Sequence, residues 1–307
     1  MIDQNNPPAR PHYAIQAIHP LANTDHIKRK TLDIPYAKQS PAQKLDIYLP
    51  DEITDPSPVI VSIHGGAFLG CDKSDMQVMP MLEGLKRGYA VVAVNYRLSW
   101  EAKFPALVQD VKAAVRWLRG NASHYELDPH RIAAWGGSAG GYLASMLGTS
   151  ACIPELEDLG MGNPEQPSNV QAVVSWFGPT DFLKMDEQLA ANGFYSPEDQ
   201  LHNGENSPES LLLGQKITEI PERVKAANPE TYIKPGNPPF YLQHGTKDCV
   251  VPVQQSINFA AKLSKVLGED QVKLDLIQDA EHADPRFESP ENVKKVLDFL
   301  DRYLNKL

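Results

Sequence analysis

Apolar segments of strand length recur along the chain, at 59–63, 89–94, 131–135, 170–176, 239–244 and 272–277. Segments with apolar residues at helical spacing separate many of them, at about 74–87, 105–119, 253–267 and 292–303. Uninterrupted apolar strands are typical of a parallel sheet that is covered on both faces. The pattern therefore predicts an α/β fold with a mostly parallel central sheet and helices on both faces.

Two parts of the chain depart from this alternation. Residues 28–34 and 44–49 alternate between apolar and polar positions, which predicts an antiparallel pair of strands. Residues 181–237 carry several Asn-Gly, Asn-Pro and Ser-Pro pairs and only short helical fragments, so they do not form a further plain strand-helix unit. We expect a small cap insertion at about 181–237 on a single domain that spans 1–307.

Composition excludes several classes of partner. With 42% hydrophobic residues and a net charge of −10, the chain has the make-up of a globular protein, and its acidic balance argues against nucleic acid or an anionic membrane surface. Residues 1–20 lack the apolar core of a signal peptide, and no apolar run approaches the roughly 20 residues that span a bilayer. We therefore expect a cytoplasmic protein with no membrane partner, whose oligomeric state the sequence does not set.

The cysteines and histidines do not form a metal or disulfide pattern. Cys71, Cys152 and Cys249 include no C-x-x-C pair, and we expect them to be buried free thiols. The nine histidines lack the spacing that places two metal ligands on one helical face. We expect no metal and no cofactor. A nucleophilic role for Cys249 is disfavoured because no tight strand-to-helix turn presents it.

Such a turn is predicted around Ser138. A short apolar strand runs into Gly136-Gly137-Ser138-Ala139-Gly140, and a helix of small residues follows at once. Glycines two before and two after the apex let strand and helix pass without side-chain clashes. Ser138 would then be exposed at the carboxyl edge of the sheet, with the Ala139 amide and the positive end of the helix beside it.

Other polar residues follow strands that end at the same edge. Asp248 comes shortly after the strand at 239–244, and His282 lies five residues after the strand at 272–277. A serine hydroxyl needs an imidazole to take its proton and a carboxylate to orient that imidazole. Ser138, His282 and Asp248 supply these groups, although Asp181 competes for the role of the acid and His64 for that of the base.

Several motifs together resemble those of α/β-hydrolase serine esterases. They are His64-Gly65-Gly66-Ala67-Phe68, Asn95-Tyr96-Arg97-Leu98, Gly136-Gly137-Ser138-Ala139-Gly140-Gly141, Ser210-Leu211-Leu212-Leu213-Gly214, His244-Gly245-Thr246-Lys247-Asp248 and Glu281-His282-Ala283-Asp284. The chain is most similar to hormone-sensitive-lipase-like carboxylesterases, and nearest to bacterial acetyl-xylan and feruloyl esterases. The resemblance covers roughly residues 40–305.

The resemblance implies an α/β-hydrolase fold and a catalytic triad of Ser138, Asp248 and His282. It favours Asp248 over Asp181, which we interpret as the N-cap of the first turn of the cap, and it makes His64 a supporting residue. It also implies an oxyanion hole, for which we expect the backbone amides of Gly65, Gly66 and Ala139. Ala67 is a departure, because lipase-like relatives usually carry a third glycine at this position.

The expected function is hydrolysis of carboxylic esters with short acyl groups. The cap segment lacks the long apolar helix with which a lipase lid covers an acyl chain. Aromatic residues that could stack on a sugar or phenolic ring are Trp100, Trp176, Phe194 and Tyr195. We therefore expect acetyl or feruloyl esters of plant-polysaccharide fragments as substrates. A general short-chain carboxylesterase, a serine peptidase and a non-catalytic binding module are the alternatives.

Overall fold

The computed structural model describes residues 20–52, 55–194 and 200–305. Within them, eight strands form one sheet. In chain order the strands are β1 (Lys30–Pro35), β2 (Lys44–Tyr48), β3 (Ser57–Ile63), β4 (Ala90–Val94), β5 (Leu127–Gly137), β6 (Ala172–Trp176), β7 (Phe240–Gly245) and β8 (Val272–Ile277).

The sheet is mostly parallel. Its spatial order is β1-β2-β4-β3-β5-β6-β7-β8. The pairs β1·β2 and β2·β4 are antiparallel, and every pair from β4·β3 to β7·β8 is parallel. This confirms the predicted parallel sheet and the antiparallel strand pair, and the carboxyl ends of β3, β5, β6, β7 and β8 meet at one edge.

Helices and short turns connect the strands. The α-helices are α1 (Met79–Leu82), α2 (Ala106–Gly120), α3 (Ala139–Thr149), α4 (Met185–Ala191), α5 (Pro208–Leu213), α6 (Pro221–Ala227), α7 (Gln254–Leu267) and α8 (Pro290–Leu304). Turns of 3-10 helix cover Met76–Val78, Glu83–Arg87, Pro154–Leu156, Leu159–Met161, Phe182–Lys184, Ile217–Glu219, Pro229–Tyr232, Glu269–Gln271 and Pro285–Glu288.

The central strands bury both faces, as their uninterrupted apolar sequences require. In β3, Val59, Val61 and Ile63 belong to the hydrophobic cluster on one side of the sheet, whereas Ile60 belongs to the cluster on the other side. This follows from the two-residue period of a strand. Helices α2, α3 and α7 contribute side chains to the first cluster and α8 to the second, so both faces of the sheet are covered.

Two expectations about local structure are wrong. The single helix expected at about 74–87 is divided into α1 and two flanking 3-10 turns, and the last turn ends at Gly88, whose φ of 81° is left-handed. The cysteines are not buried, since Cys152 and Cys249 are exposed and Cys71 is half-buried, although none of the three forms a disulfide bond. Cys152 and Cys249 lie in surface turns after α3 and β7 rather than in the core.

Short helices make up the segment 181–237 where the structure describes it. Helix α5 shows why they are short: the Ser207 hydroxyl accepts a hydrogen bond from the Ser210 amide at its start, and Gly214 ends it with a left-handed φ of 76°. Helices α4 and α6 have seven residues each. No described helix of this segment is long enough to form a lipase-type lid.

Candidate active site

Ser138 lies at the apex of a strained turn between β5 and α3. Its φ of 54° and ψ of −122° are unfavourable for a residue with a side chain. Close packing holds this turn in place, because a Cβ added at Gly140 would lie 2.0 Å from the Ile63 carbonyl oxygen and one at Gly136 would lie 2.5 Å from the Gly140 carbonyl. The turn therefore has the geometry of a nucleophile elbow.

The structure brings the three predicted catalytic side chains together. His282 Nε2 lies 3.0 Å from Ser138 Oγ, and His282 Nδ1 lies 2.7 Å from Asp248 Oδ2. Both distances are those of hydrogen bonds. In the tautomer that fits both contacts, Nδ1–H donates a hydrogen bond to the carboxylate and Nε2 accepts one from the serine hydroxyl.

Asp248 is buried, and both of its carboxylate oxygens contact partner groups. Its Oδ1 accepts hydrogen bonds from the amides of Val250, at 2.9 Å, and Val251, at 2.8 Å. Its Oδ2 also lies 3.2 Å from Nε2 of His244, a fully buried residue at the end of β7. Burial raises the pKa of the Asp248 carboxyl, but the contacts with His244 and His282 outweigh it and hold the pKa well below its usual range. Asp248 is therefore a carboxylate at neutral pH.

The competing acid and base lie elsewhere. Asp181 accepts a hydrogen bond from Asn228 Nδ2 at 3.2 Å, and it lines a separate hollow with Lys184 and Lys262. It stands at the N-cap position of a 3-10 turn, but its side chain makes no capping hydrogen bond, so the N-cap interpretation is wrong in that respect.

His64 is buried beneath the loop that follows β3. Its ring stacks on Tyr96 with centroids 4.4 Å apart, and its Nδ1 lies 2.9 Å from the Gly65 carbonyl oxygen. Burial lowers the pKa of the His64 imidazole. These contacts fit a residue that supports the loop rather than one that exchanges protons with Ser138.

Ser138 opens into a cleft of about 540 Å³. Its lining residues are Ile63, Gly65, Gly66, Ala67, Met76, Gln77, Met81, Gly137, Ser138, Trp176, Phe177, Val250, His282, Ala283, Asp284, Pro285, Phe287 and Glu288. Most of these are apolar, and the carboxylates of Asp284 and Glu288 are the charged groups among them. Asp284 is paired with Arg286 at 2.6 Å.

The backbone donors of the cleft differ from the predicted set at one position. The Gly65 amide donates a hydrogen bond of 2.8 Å to Gln77 Oε1, so it is not free to meet a substrate oxygen in this arrangement. The prediction for Gly65 is therefore corrected. Within the described residues, the amides of Gly66 and Ala139 make no such contact. Ala67 has a left-handed φ of 53°, which is the backbone conformation that a third glycine would adopt most easily.

The predicted aromatic residues do not gather around the cleft. Trp176 lines it but is only 4% exposed, because its ring packs edge-on against Trp135. The predicted position of Trp100 beside the substrate is wrong, because Trp100 packs against the main core and lines a different hollow beyond β4. Phe194 is half-buried and does not line the cleft, and Tyr195 lies outside the described residues.

The family follows from comparison with known proteins. The family described as BD-FAE matches residues 45–263. The chain belongs to the BD-FAE family.

Relatives of this BD-FAE chain are named as esterases. It is 33% identical over 247 residues to a probable carboxylic ester hydrolase, LipM, of Mycobacterium tuberculosis, a match that covers 80% of the chain and 54% of LipM. It is 30% identical over 263 residues to esterase LipQ of the same organism, covering 83% of the chain and 57% of LipQ. The chain thus spans about half the length of these relatives.

Two solved structures resemble the BD-FAE chain over most of its length. One is a truncated form of a carbohydrate esterase from gut microbiota, with a TM-score of 0.81, 29% identity and coverage of 93% of this chain and 100% of the other. The second is a bifunctional GH43-CE protein of Bacteroides eggerthii, with a TM-score of 0.78, 34% identity and coverage of 90% and 35%. These matches confirm the predicted α/β-hydrolase fold and esterase resemblance.

Sequence reasoning missed several residues of the site in this BD-FAE chain. The Phe177 ring packs edge-on against the His282 ring with centroids 4.7 Å apart, and His244 Nε2 contacts the Asp248 carboxylate. Phe177 directly follows β6 and His244 lies near the end of β7. The rule that parallel strands end at one edge could therefore have identified both residues. Gln77 carried no such signal, because its approach to Gly65 depends on how the 3-10 turn Met76–Val78 packs.

Over residues 20–52, 55–194 and 200–305, no group of three or more His, Cys, Asp or Glu side chains is arranged to hold a metal ion. In the same residues, no helix is both long and apolar enough to cross a bilayer.

Proposed function

We propose that the chain is a serine carboxylic-ester hydrolase that acts through an acyl-enzyme at Ser138. The observation that carries this proposal is the run of contacts from Asp248 through His282 to Ser138 Oγ, which ends in an open cleft. The esterase names of the relatives support it.

The geometry suggests how each residue acts. His282 Nε2 takes the proton as Ser138 Oγ attacks the ester carbonyl carbon, and Asp248 stabilises the resulting imidazolium. The carbonyl oxygen, now negatively charged, is met by the Gly66 and Ala139 amides at the positive end of α3. His282 then gives the proton to the departing alcohol, which leaves the acyl group on Ser138. A water molecule, activated by the same imidazole, hydrolyses this ester and restores the serine.

We further propose short acyl groups, with acetyl or feruloyl esters of plant-polysaccharide fragments as the substrate class. Support comes from the short helices of the segment 181–237 and from the similarity to a carbohydrate esterase. A general short-chain carboxylesterase is the second candidate. It is favoured by the mainly apolar lining of the cleft and by the positions of Trp100 and Phe194 away from it.

A substrate panel separates these candidates. We expect kcat/KM to fall steeply from p-nitrophenyl acetate or butyrate to the octanoate, because a short pocket loses roughly 1 to 3 kcal/mol for each methylene that it cannot house. Release of acetate from acetylated xylan, or of ferulate from methyl ferulate and feruloylated oligosaccharides, would support the polysaccharide substrates. Activity on simple esters alone would favour the general esterase.

The same panel tests the remaining alternatives. Aminoacyl p-nitroanilides should not be cleaved, although the cleft contains the acidic residues Asp284 and Glu288 that the sequence did not indicate. Faster turnover of octanoyl than of acetyl esters would contradict the short pocket. Absence of activity on every ester and anilide would contradict the enzymatic proposal and favour a binding module.

A further inference from the structure

His202 connects the segment 181–237 to the loop that carries Asp248. Its Nε2 lies 2.9 Å from the Val250 carbonyl oxygen. Its Nδ1 lies 3.1 Å from Glu209 Oε2, close enough for an ion pair although off the line of an ideal hydrogen bond. The side chains of His202 and Glu209 are only 12% and 4% exposed. A largely buried histidine of the segment 181–237 therefore contacts a backbone carbonyl of the neighbouring loop, whose residue Val250 is 45% exposed.

That carbonyl belongs to a residue of the active site. Val250 lines the cleft, and its amide donates to Asp248 Oδ1 at 2.9 Å. Asp248 Oδ2 in turn holds His282, which contacts Ser138. A continuous series of contacts thus leads from Glu209 to the serine hydroxyl, and His202 is its link between the two segments.

We propose that His202 is a positioning residue, which fixes the loop 248–251 so that Asp248 holds His282 in line with Ser138. This role rests on the proposed esterase function. A displaced loop would change the direction of the Asp248 carboxylate, and catalytic alignment is sensitive to shifts of about 1 Å.

The charged groups around His202 are acidic. Glu209 belongs to α5. Asp186 belongs to α4, and its carboxylate accepts hydrogen bonds from the backbone amides of His202, at 2.9 Å, and Asn203, at 2.7 Å. Burial lowers the pKa of the His202 imidazole, but Glu209, the contact with the Val250 carbonyl oxygen and Asp186 together outweigh it and raise the pKa to about 9. Since the folded pKa lies above the ordinary value of 6.5, the stability from this pairing is complete below about pH 6.5 and is lost as the pH rises through about 9.

Loss of the proton should release the loop. The imidazolium donates from both ring nitrogens, whereas neutral imidazole keeps one N–H. Nδ1 lies 3.1 Å from the buried Glu209 carboxylate, and the negative charge there attracts the N–H dipole, so the remaining proton stays on Nδ1. Nε2 then presents a lone pair to the Val250 carbonyl oxygen, so the contact that fixes the loop becomes repulsive.

The experiment is a pH profile of kcat and KM for p-nitrophenyl acetate, corrected for spontaneous hydrolysis. In the wild type we expect kcat to fall roughly 10-fold as the pH rises through about 9, with KM little changed. His202→Gln keeps a donor toward Val250 but does not titrate, so its kcat should be flat in this range. Glu209→Gln lets the neutral imidazole keep its proton on Nε2, and this fall should disappear there too.

His130→Gln is the matched control, because His130 is exposed near the start of β5, and it should retain the wild-type profile. Circular dichroism and tryptophan fluorescence at each pH establish that the variants remain folded. An alkaline fall of the same size and midpoint in His202→Gln would overturn the proposal.

A second measurement does not depend on activity. Hydrogen exchange of the Val250 and Val251 amides, read by mass spectrometry, should become roughly 10-fold faster above pH 9 than the intrinsic pH dependence explains in the wild type, and not in His202→Gln. Equal protection in both proteins would refute the link. If the wild type hydrolyses no ester but shows the exchange difference, the esterase proposal fails while the structural link stands.

Discussion

The carboxyl edge of the sheet and the segment 181–237 are built in different ways. At the edge, side chains stand directly at strand ends, and Gly136 and Gly140 pack so closely that even a methyl group would collide with backbone. The segment 181–237 consists of short helices separated by turns, and Gly193 and Gly236 there face open space. The edge has one geometry that tight packing enforces, whereas a side chain added at either of these two glycines of the segment would meet no neighbouring atom. The two regions therefore differ in how tightly packing constrains the backbone, and the described residues that line the cleft come from the edge and its loops rather than from the segment.

The largest expected effect is at the edge. Ser138→Ala should lower kcat/KM for p-nitrophenyl acetate roughly 10⁴-fold or more, because no other group in the cleft can replace the attacking hydroxyl. The matched control is Ser145→Ala, since Ser145 is buried in α3 and its hydroxyl bonds only to the Gly141 carbonyl at 2.8 Å. Its activity should stay within about threefold, as expected for one lost helix-internal hydrogen bond. Substantial turnover by Ser138→Ala would contradict the proposal that the reaction takes place at Ser138.

The two acidic residues compare the regions directly, because Asp248 belongs to the edge and Asp181 begins the segment 181–237. Asp248→Asn should lower kcat by roughly 10³- to 10⁴-fold, since an amide favours the wrong His282 tautomer. Asp181→Asn should change kcat by less than about threefold, because removing a weak contact to Asn228 costs no more than about 1 kcal/mol. Steady-state kinetics with one ester measures both, and a larger loss at Asp181 would reverse the assignment.

Alanine at selected glycines measures the difference in packing. Gly140→Ala places a Cβ 2.0 Å from the Ile63 carbonyl, so we expect the free energy of unfolding to fall by roughly 3 kcal/mol and activity to fall with it. At Gly236 a Cβ meets nothing within 4 Å and only the left-handed φ of 88° opposes it, which costs about 1 kcal/mol. Urea unfolding compares the two variants. Equal destabilisation would show that the two regions are packed alike.

The smallest effect concerns Gln77. Gln77→Met preserves the length of the side chain but removes the acceptor of the Gly65 amide. Loss of this hydrogen bond of about 1 kcal/mol, together with the longer one of 3.3 Å from Gln77 Nε2 to Asp75, should loosen the loop at 64–68 and lower kcat about fivefold, with little change in KM. Steady-state kinetics on p-nitrophenyl acetate measures this effect. An increase in kcat would instead show that Gly65 is a better oxyanion donor when released, as the sequence indicated.

Local sequence rules were sufficient for the edge of the sheet. The apolar strands, the glycines around Ser138 and the rule that parallel strands end together predicted which residues meet. They did so although Ser138 and His282 are 144 positions apart. The end of a buried strand fixes the position of the residue that follows it, so the location of that side chain can be predicted.

The rest depended on contacts that no sequence pattern specifies. Gln77 reaches Gly65 from a 3-10 turn, and Trp100 faces a different hollow because its loop packs against the core. The Asp181 side chain was misassigned as a cap because it contacts Asn228, 47 positions away. His202 gave no sequence signal, since its contact with the Val250 carbonyl depends on how the segment 181–237 packs against the loop after β7, and its contact with Glu209 depends on how α5 lies within the segment.

The most direct measurement is the site of covalent labelling by a fluorophosphonate ester, followed by peptide mass spectrometry. We expect stoichiometric label on the peptide that contains Ser138, loss of hydrolysis in proportion to labelling, and no label in Ser138→Ala. Since Cys249 is exposed beside Asp248, label there or on another residue, or full activity after Ser138 is labelled, would contradict the assignment of Ser138 as the nucleophile.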